Sequence, residues 1–170
     1  MWIGSISIDV QTKDAPYAGT DSLVTASIVR NGVEIQKLRL DYPNEDDLER
    51  GAFREYFYIG PTKLPRNNDK TPSLPDGIGQ DPMPYPSYGI EFSEGLKGHL
   101  TLRLTIHNDD MWIKDQIDLY IKEIRQVATS FDTIAWQEDK EWTYIASWPK
   151  DTAMSTDSSE GFKTVNLNLV

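Results

Sequence analysis

The chain has 170 residues, 38% hydrophobic and 11% aromatic, enough apolar surface to close a core and too much for a disordered chain. Its 27 acidic residues outnumber 17 basic ones, and the formal charge of −10 repels nucleic-acid phosphates, so no nucleic-acid partner is expected. Cysteine is absent, which removes disulfide scaffolds, thiolate-bound zinc, iron–sulfur clusters and thiol catalysis.

In chain order the pattern is that of strands. Ile6, Ile8 and Val10 alternate with Ser5, Ser7 and Asp9, with Ile3 assigned to the other face. Val24, Ala26 and Ile28 alternate with Thr25 and Ser27. Asn31-Gly32 follows, a pair suited to the positive φ angles of a two-residue hairpin turn. Leu38 and Leu40 then alternate with Lys37 and Arg39. Asn44 to Arg50 and Asp109 to Asp115 are the two places where a single helical turn is expected. Phe53 to Ile59 is an aromatic-rich strand. Leu100, Leu102, Leu104 and Ile106 face one way, and Thr101, Arg103 and Thr105 the other. Ile117, Leu119 and Ile121 continue the alternation toward Val127, and strands at Trp142–Ser147 and Val165–Val170 close the chain. About eight short strands with turn signals between them predict an all-β antiparallel sandwich of one domain over residues 1–170.

One segment breaks the pattern. Residues 60–89 hold seven of the ten prolines, from Pro61 to Pro86, and read as an insertion loop of about 30 residues. It serves as a surface loop or as a binding arm carrying Tyr85 and Tyr88. No apolar run approaches the roughly 18 residues of a spanning helix, so no transmembrane segment is expected. The start, Met1 to Ser5, lacks the basic and apolar regions of a signal peptide. The expected location is cytoplasmic, with secretion after cleavage as the alternative.

Four motifs occur in a telling order. Ala18-Gly19-Thr20-Asp21 follows the first strand, and Glu49-Arg50-Gly51 precedes the aromatic strand. The leucine-rich strand ends in Ile106-His107-Asn108-Asp109-Asp110, and a further strand runs from Gln116 to Ile124. This order resembles the PLAT/LH2 (lipoxygenase-homology, C2-like) domain family over residues 3–127. Trp112 stands earlier than the tryptophan usual in that family, and the proline-rich insertion interrupts the sheet. The resemblance implies a C2-like sandwich with a calcium site built from the Gly19 carbonyl, Asp21, and Asn108 or Asp109.

Calcium needs six to eight oxygen ligands, and Asp14, Asp21, Asn108, Asp109 and Asp110 fall in two loops that would meet at one end. The same residue types also serve turns by bonding their own backbone. Asp41, Asn44, Glu45, Asp46 and Asp47 form a second acidic group, read as a solvated face. The resemblance further implies exposed aromatics that enter a lipid interface; Tyr17, Met111 and Trp112 flank the acidic loops. Trp112 fits the core equally well. The leading expectation is a non-catalytic, calcium-assisted module that docks on a lipid surface or a protein partner.

The alternative is a small enzyme that binds a hydrophobic small molecule. His107, with Asp109 or Asp110, would then drive a cyclisation, isomerisation or dehydration by acid–base chemistry. His99, eight residues away, would share its face and could join Glu91 in a polar site. A third reading is a carbohydrate-binding module, because Trp136, Trp142 and Trp148 cluster near the end, with Trp142 and Trp148 on one parity.

Overall fold

The computed structural model describes residues 1–42, 45–59, 89–128 and 134–170. Tyr85, Tyr88, Asn44 and the proline-rich insertion apart from Gly89 lie outside the described residues. The described chain forms β1 (Trp2–Thr12), β2 (Val24–Arg30), β3 (Val33–Arg39), β4 (Phe53–Ile59), β5 (Ile90–Glu91) and β6 (Leu100–Ile106). It continues with β7 (Trp112–Ala128), β8 (Ile134–Glu138), β9 (Thr143–Trp148), β10 (Thr152–Met154) and β11 (Thr164–Asn168). Every strand pairing is antiparallel.

Two sheets pack as a sandwich. The smaller has the order β11-β6-β2-β3. In β6 the buried and part-exposed residues alternate without a break, as the leucines at every second position require. The β2–β3 hairpin turns on Asn31 and Gly32, whose φ angles of 50° and 83° are those of a turn that follows the twist of the flanking strands.

The larger sheet is organised on β1 and β7. One edge of β1 takes β4 and β5, and the other takes β7. The 17 residues of β7 are too long for any one return strand, so β10, β9 and β8 cover successive stretches of its second edge. β1 is buried on both faces. Ile6, Ile8 and Val10 enter the core between the sheets, while Ser5, Ser7 and Asp9 lie under side chains on the outer face.

Two irregularities change faces that strict alternation assigns. A bulge at Gly4 lies between the Ile3 and Ser5 pairings with β7, so Ile3 joins Ile6 and Ile8 in the core cluster instead of opposing them. A Cβ at Gly4 would stand 2.5 Å from Glu138 Oε1 and 2.8 Å from Ile124 Cγ1, which suits this position to glycine. The second irregularity is in β9, where Tyr144 pairs with Tyr120 but Ala146 pairs with Leu119. Trp148 therefore packs against the core, whereas Trp142 lies on the outer face over Phe57 and the Lys122 ammonium. Trp136 meets Trp2 edge to face at 6.4 Å. The coplanar tryptophan platform expected for a sugar binder is thus not formed, because the extra residue in β9 reverses the parity.

Neither expected helical turn is helical. Residues 45–50 form bends and a bridge, and β7 begins at Trp112.

Candidate functional site

The loops after β1, β3, β6 and β10 gather at one end of the sandwich. They hold together through Asp110. Its carboxylate accepts the Asp21 N–H at 2.7 Å and lies 3.0 Å from the Thr20 hydroxyl. Its carbonyl oxygen accepts from Thr20 Oγ1 at 2.8 Å and Ser22 Oγ at 3.1 Å. The next two residues back face the loop after β10. Ser155 Oγ donates to the Asp109 carbonyl at 3.0 Å, and the Thr156 N–H to that of Asn108 at 3.3 Å. Two loops far apart in sequence, 18–22 and 107–112, do therefore meet as expected.

The meeting is not a preformed calcium cage. Among the described residues no three carboxylate or imidazole groups converge within reach of one ion. One oxygen of the Asp110 carboxylate, Oδ2, takes the donors of both Thr20 and Asp21, and Asp14 accepts from Arg50 Nε at 2.8 Å. Asp21 and Asp109 expose their carboxylates. Gly19 lies against the backbone of residues 49 and 50, where an added Cβ would stand 2.7 Å from Arg50 N.

The second acidic group is more than a solvated face. Asp21, Asp41, Glu45, Asp46 and Asp47 line one cleft of about 410 Å³, with Arg39 as its one lining cation among the described residues. Asp47 is its buried member. Its Oδ2 accepts the Tyr42 N–H at 2.7 Å, and Arg54 Nε lies 3.8 Å from its Oδ1. Burial raises the Asp47 carboxyl above the usual carboxylate range, against the pull of Tyr42 and Arg54, and neighbouring Asp41 and Glu45 add to the rise. Beneath it Tyr42 and Tyr56 stack with ring centroids 5.0 Å apart. Both phenols are pushed above the ordinary tyrosine range, chiefly by burial.

The aromatics divide sharply. Tyr17 is 87% exposed, at the tip of the loop that leads to Asp21, with φ of 61°. A bulky side chain held in the left-handed region costs free energy and persists where neighbours fix the backbone. The Ala18 N–H bond to Ala15 O and the close approach of Gly19 to Arg50 do that here. Trp112, which the sequence left open between the interface and the core, is 0% exposed, and its Nε1 donates to Thr12 Oγ1 at 3.0 Å. It closes the end of the core and cannot enter a membrane from there.

The histidines do not form a joint site. They flank β6 at opposite ends, roughly 26 Å apart for eight extended residues. His99 Nδ1 pairs with Asn31 Oδ1 at 2.7 Å and lies 3.2 Å from Glu94. His107 Nε2 bonds Thr25 Oγ1 at 2.9 Å, so its partner is a hydroxyl in place of the expected Asp109 or Asp110. Burial, then the charges of Lys37 and Lys163, hold the His107 imidazole below its ordinary value of 6.5. The neutral ring is favoured in the folded chain, so its contribution to stability is full above the unfolded value and lost as pH falls from there through the lower folded value. NMR titration is expected to place the His107 midpoint below 6.5. Its replacement by glutamine should flatten the loss of stability on acidification; a midpoint at or above 6.5 would contradict the assigned surroundings.

Ser22 and Ser155 were not singled out by sequence reasoning; Thr20 was read only as part of the Ala18–Asp21 motif, and Asp47 only as part of a solvated face. The Thr20-Asp21-Ser22 run carries the signal of a side-chain-bonded turn, which the Ser22 N–H bond to Thr20 Oγ1 at 3.0 Å fulfils. Ser155 carries none, because its partner is 46 positions away.

No family model matches the chain, and no curated protein matches it. Similar solved structures do exist. The alpha-toxin of Clostridium absonum is 15% identical with a TM-score of 0.45, over 91% of this chain and 32% of the toxin chain. The alpha-toxin of an avian strain of Clostridium perfringens is 12% identical with a TM-score of 0.45, at the same coverage. The coral 8R-lipoxygenase, reported as calcium-activated through a C2-like domain, is 15% identical with a TM-score of 0.43, over 89% of this chain and 17% of that chain. This chain spans about a third of the toxins' length and about a sixth of the lipoxygenase's.

Proposed function

We propose that the chain is a non-catalytic module that docks on a lipid surface, with calcium gathered at its acidic end. The observation that carries this reading is the placement of five carboxylates around one cleft, with the outward ring of Tyr17 on the loop that enters it. A cleft in which five carboxylates face one arginine, itself paired with Asp41 at 3.0 Å, keeps an excess of negative charge and raises the local concentration of counter-ions without a preformed cage. A chain of charge −10 is repelled by anionic headgroups, and divalent ions held in the cleft reduce that repulsion. An amphipathic ring such as that of Tyr17 suits the headgroup zone. The order of motifs that resembles the PLAT family is in accord with this. His107 bonds the Thr25 hydroxyl and is not among the residues that line the acidic cleft.

The test is vesicle sedimentation with phosphatidylserine-containing and pure phosphatidylcholine vesicles, in calcium and in EDTA. Calcium-dependent pelleting with the anionic vesicles is expected. Tyr17→Ala should weaken it roughly tenfold, equivalent to about 1.4 kcal/mol. Asp21→Asn and Asp46→Asn should raise the calcium needed while leaving the melting temperature nearly unchanged. Equal pelleting in EDTA removes the calcium role, and no pelleting with either vesicle removes lipid docking.

A further inference from the structure

A second groove lies on the opposite edge of the smaller sheet from β3. It holds about 560 Å³ and runs between β11 and the 148–152 connection that joins β9 to β10. All five residues of β11, odd and even alike, line it. A groove over a sheet face would be lined by alternate residues, so this one follows the strand's edge.

The backbone of β11 shows what the edge offers. Leu169 donates its N–H to Leu100 O at 3.1 Å and accepts that of Gly98 at 2.7 Å, and Lys163 O accepts from Ile106 at 3.1 Å. Odd-numbered residues thus turn their polar backbone groups toward β6 and its flanks. By the alternation of an antiparallel ladder, Thr164, Asn166 and Asn168 turn theirs outward into the groove. Asn168 demonstrates this, since its carbonyl accepts the Trp148 indole N–H at 3.1 Å. The opposite edge strand, β3, carries Glu34, Lys37 and Arg39, the charges by which proteins guard an open edge. β11, Thr-Val-Asn-Leu-Asn, carries none.

The walls add apolar and charged recognition. Trp148 and the 66%-exposed Phe162 stand beside Val165 and Leu167. Among the described residues the ionisable side chains lining the groove are both lysines, in a protein of charge −10. Lys150 is exposed, and Lys114 is buried with its ammonium donating to the carbonyls of Asp115 and Lys150. The nearby Asp151 is paired with Lys13. We infer that this groove takes an extended acidic peptide as a fifth strand of the smaller sheet, its backbone on β11, its apolar side chains against Trp148 and Phe162, and its carboxylates toward Lys150. A row of outward N–H and C=O groups is matched by another backbone and wasted on an acyl chain, which is why a peptide is favoured over a lipid tail.

The probe is a fluorescein-labelled peptide that alternates valine with glutamate, compared with its lysine counterpart by anisotropy on the full chain. The acidic peptide is expected to bind and the basic one to bind at least tenfold more weakly. Asn166→Pro removes an outward N–H without touching the β6 ladder, so it should abolish binding and leave the melting temperature within a few degrees. Lys150→Glu should weaken binding at least tenfold while vesicle sedimentation stays unchanged, which separates this groove from the acidic cleft. Undiminished binding by Asn166→Pro, or equal affinity for both peptides, overturns the assignment. A dimer of the free chain that Asn166→Pro splits would put a second copy on this edge instead, and preferential binding of a fluorescent fatty acid would put a lipid there; either also overturns it.

Discussion

Trp112→Ala is expected to cost about 3–5 kcal/mol of folding stability, the range for removing a large aromatic side chain from a packed core. Trp112 is fully buried and closes the end of the core beneath the loop that carries Asp110. Its truncation leaves a void and strips Thr12 Oγ1, itself buried, of the indole donor. Domains of this kind have about 5–15 kcal/mol in total, so the loss is a large share of the whole. Urea denaturation should show the midpoint falling with little change in slope. Trp112→Phe retains much of the ring and loses the hydrogen bond, and it should cost less. If Trp112→Ala kept the native midpoint and instead lost vesicle binding, the residue would belong to an exposed tip and its assigned place in the core would be wrong.

Gly19→Ala is expected to cost about 1–3 kcal/mol, the usual range for forcing atoms into a filled space. The obstruction is backbone. An added Cβ would stand 2.7 Å from Arg50 N and 3.1 Å from Glu49 C, neither of which can rotate away as a side-chain tip can. The loop carrying Tyr17 must therefore lift from residues 48–51, including the Thr20–Leu48 bridge. The Asp21 N–H that bonds Asp110 is a direct reporter. Its hydrogen exchange should accelerate along with a lower melting temperature, and the acidic cleft should lose its edge at Asp21. An unchanged exchange rate at Asp21 with an unchanged melting temperature would show that the loop accommodates the methyl group. In the family resemblance Gly19 enters as a carbonyl ligand; the structure adds a packing requirement at the same residue, the close approach of its Cα to residues 49 and 50.

The strands that were legible are those whose burial is set by local alternation. β6 is the cleanest case, because one face meets the opposing sheet and the other faces outward along its whole length. β2 and β3 were legible with their turn, since Asn31-Gly32 encodes a backbone conformation that few pairs tolerate. β8 and β10 were missed because such short strands are determined by the exposed edge of β7 they cover, and no local pattern announces that edge. The faces of Ile3 and Trp148 were misassigned for a related reason. A bulge inserts one residue and reverses everything beyond it, and the need for it arises in the partner strand.

The candidate site divides in the same way. Composition alone carried the excess of acid, and it was the resemblance in motif order, not spacing, that placed the loops of Asp21 and Asn108–Asp110 at one end. Which carboxylates remain open to solution was a tertiary matter. Asp110 turns one carboxylate oxygen to both Thr20 and Asp21, while Asp47, assigned to a solvated face, is buried against Tyr42. By itself the sequence determined an acidic all-β sandwich without cysteine chemistry, because charge, composition and period-two alternation are local properties. Only the tertiary structure decided that Trp112 belongs to the core, that His107 meets Thr25 instead of a carboxylate, and that β11 leaves an unguarded edge over two lysines. Each of those depends on which distant segment arrives alongside, and burial and pairing across such distances are set by packing of the whole chain.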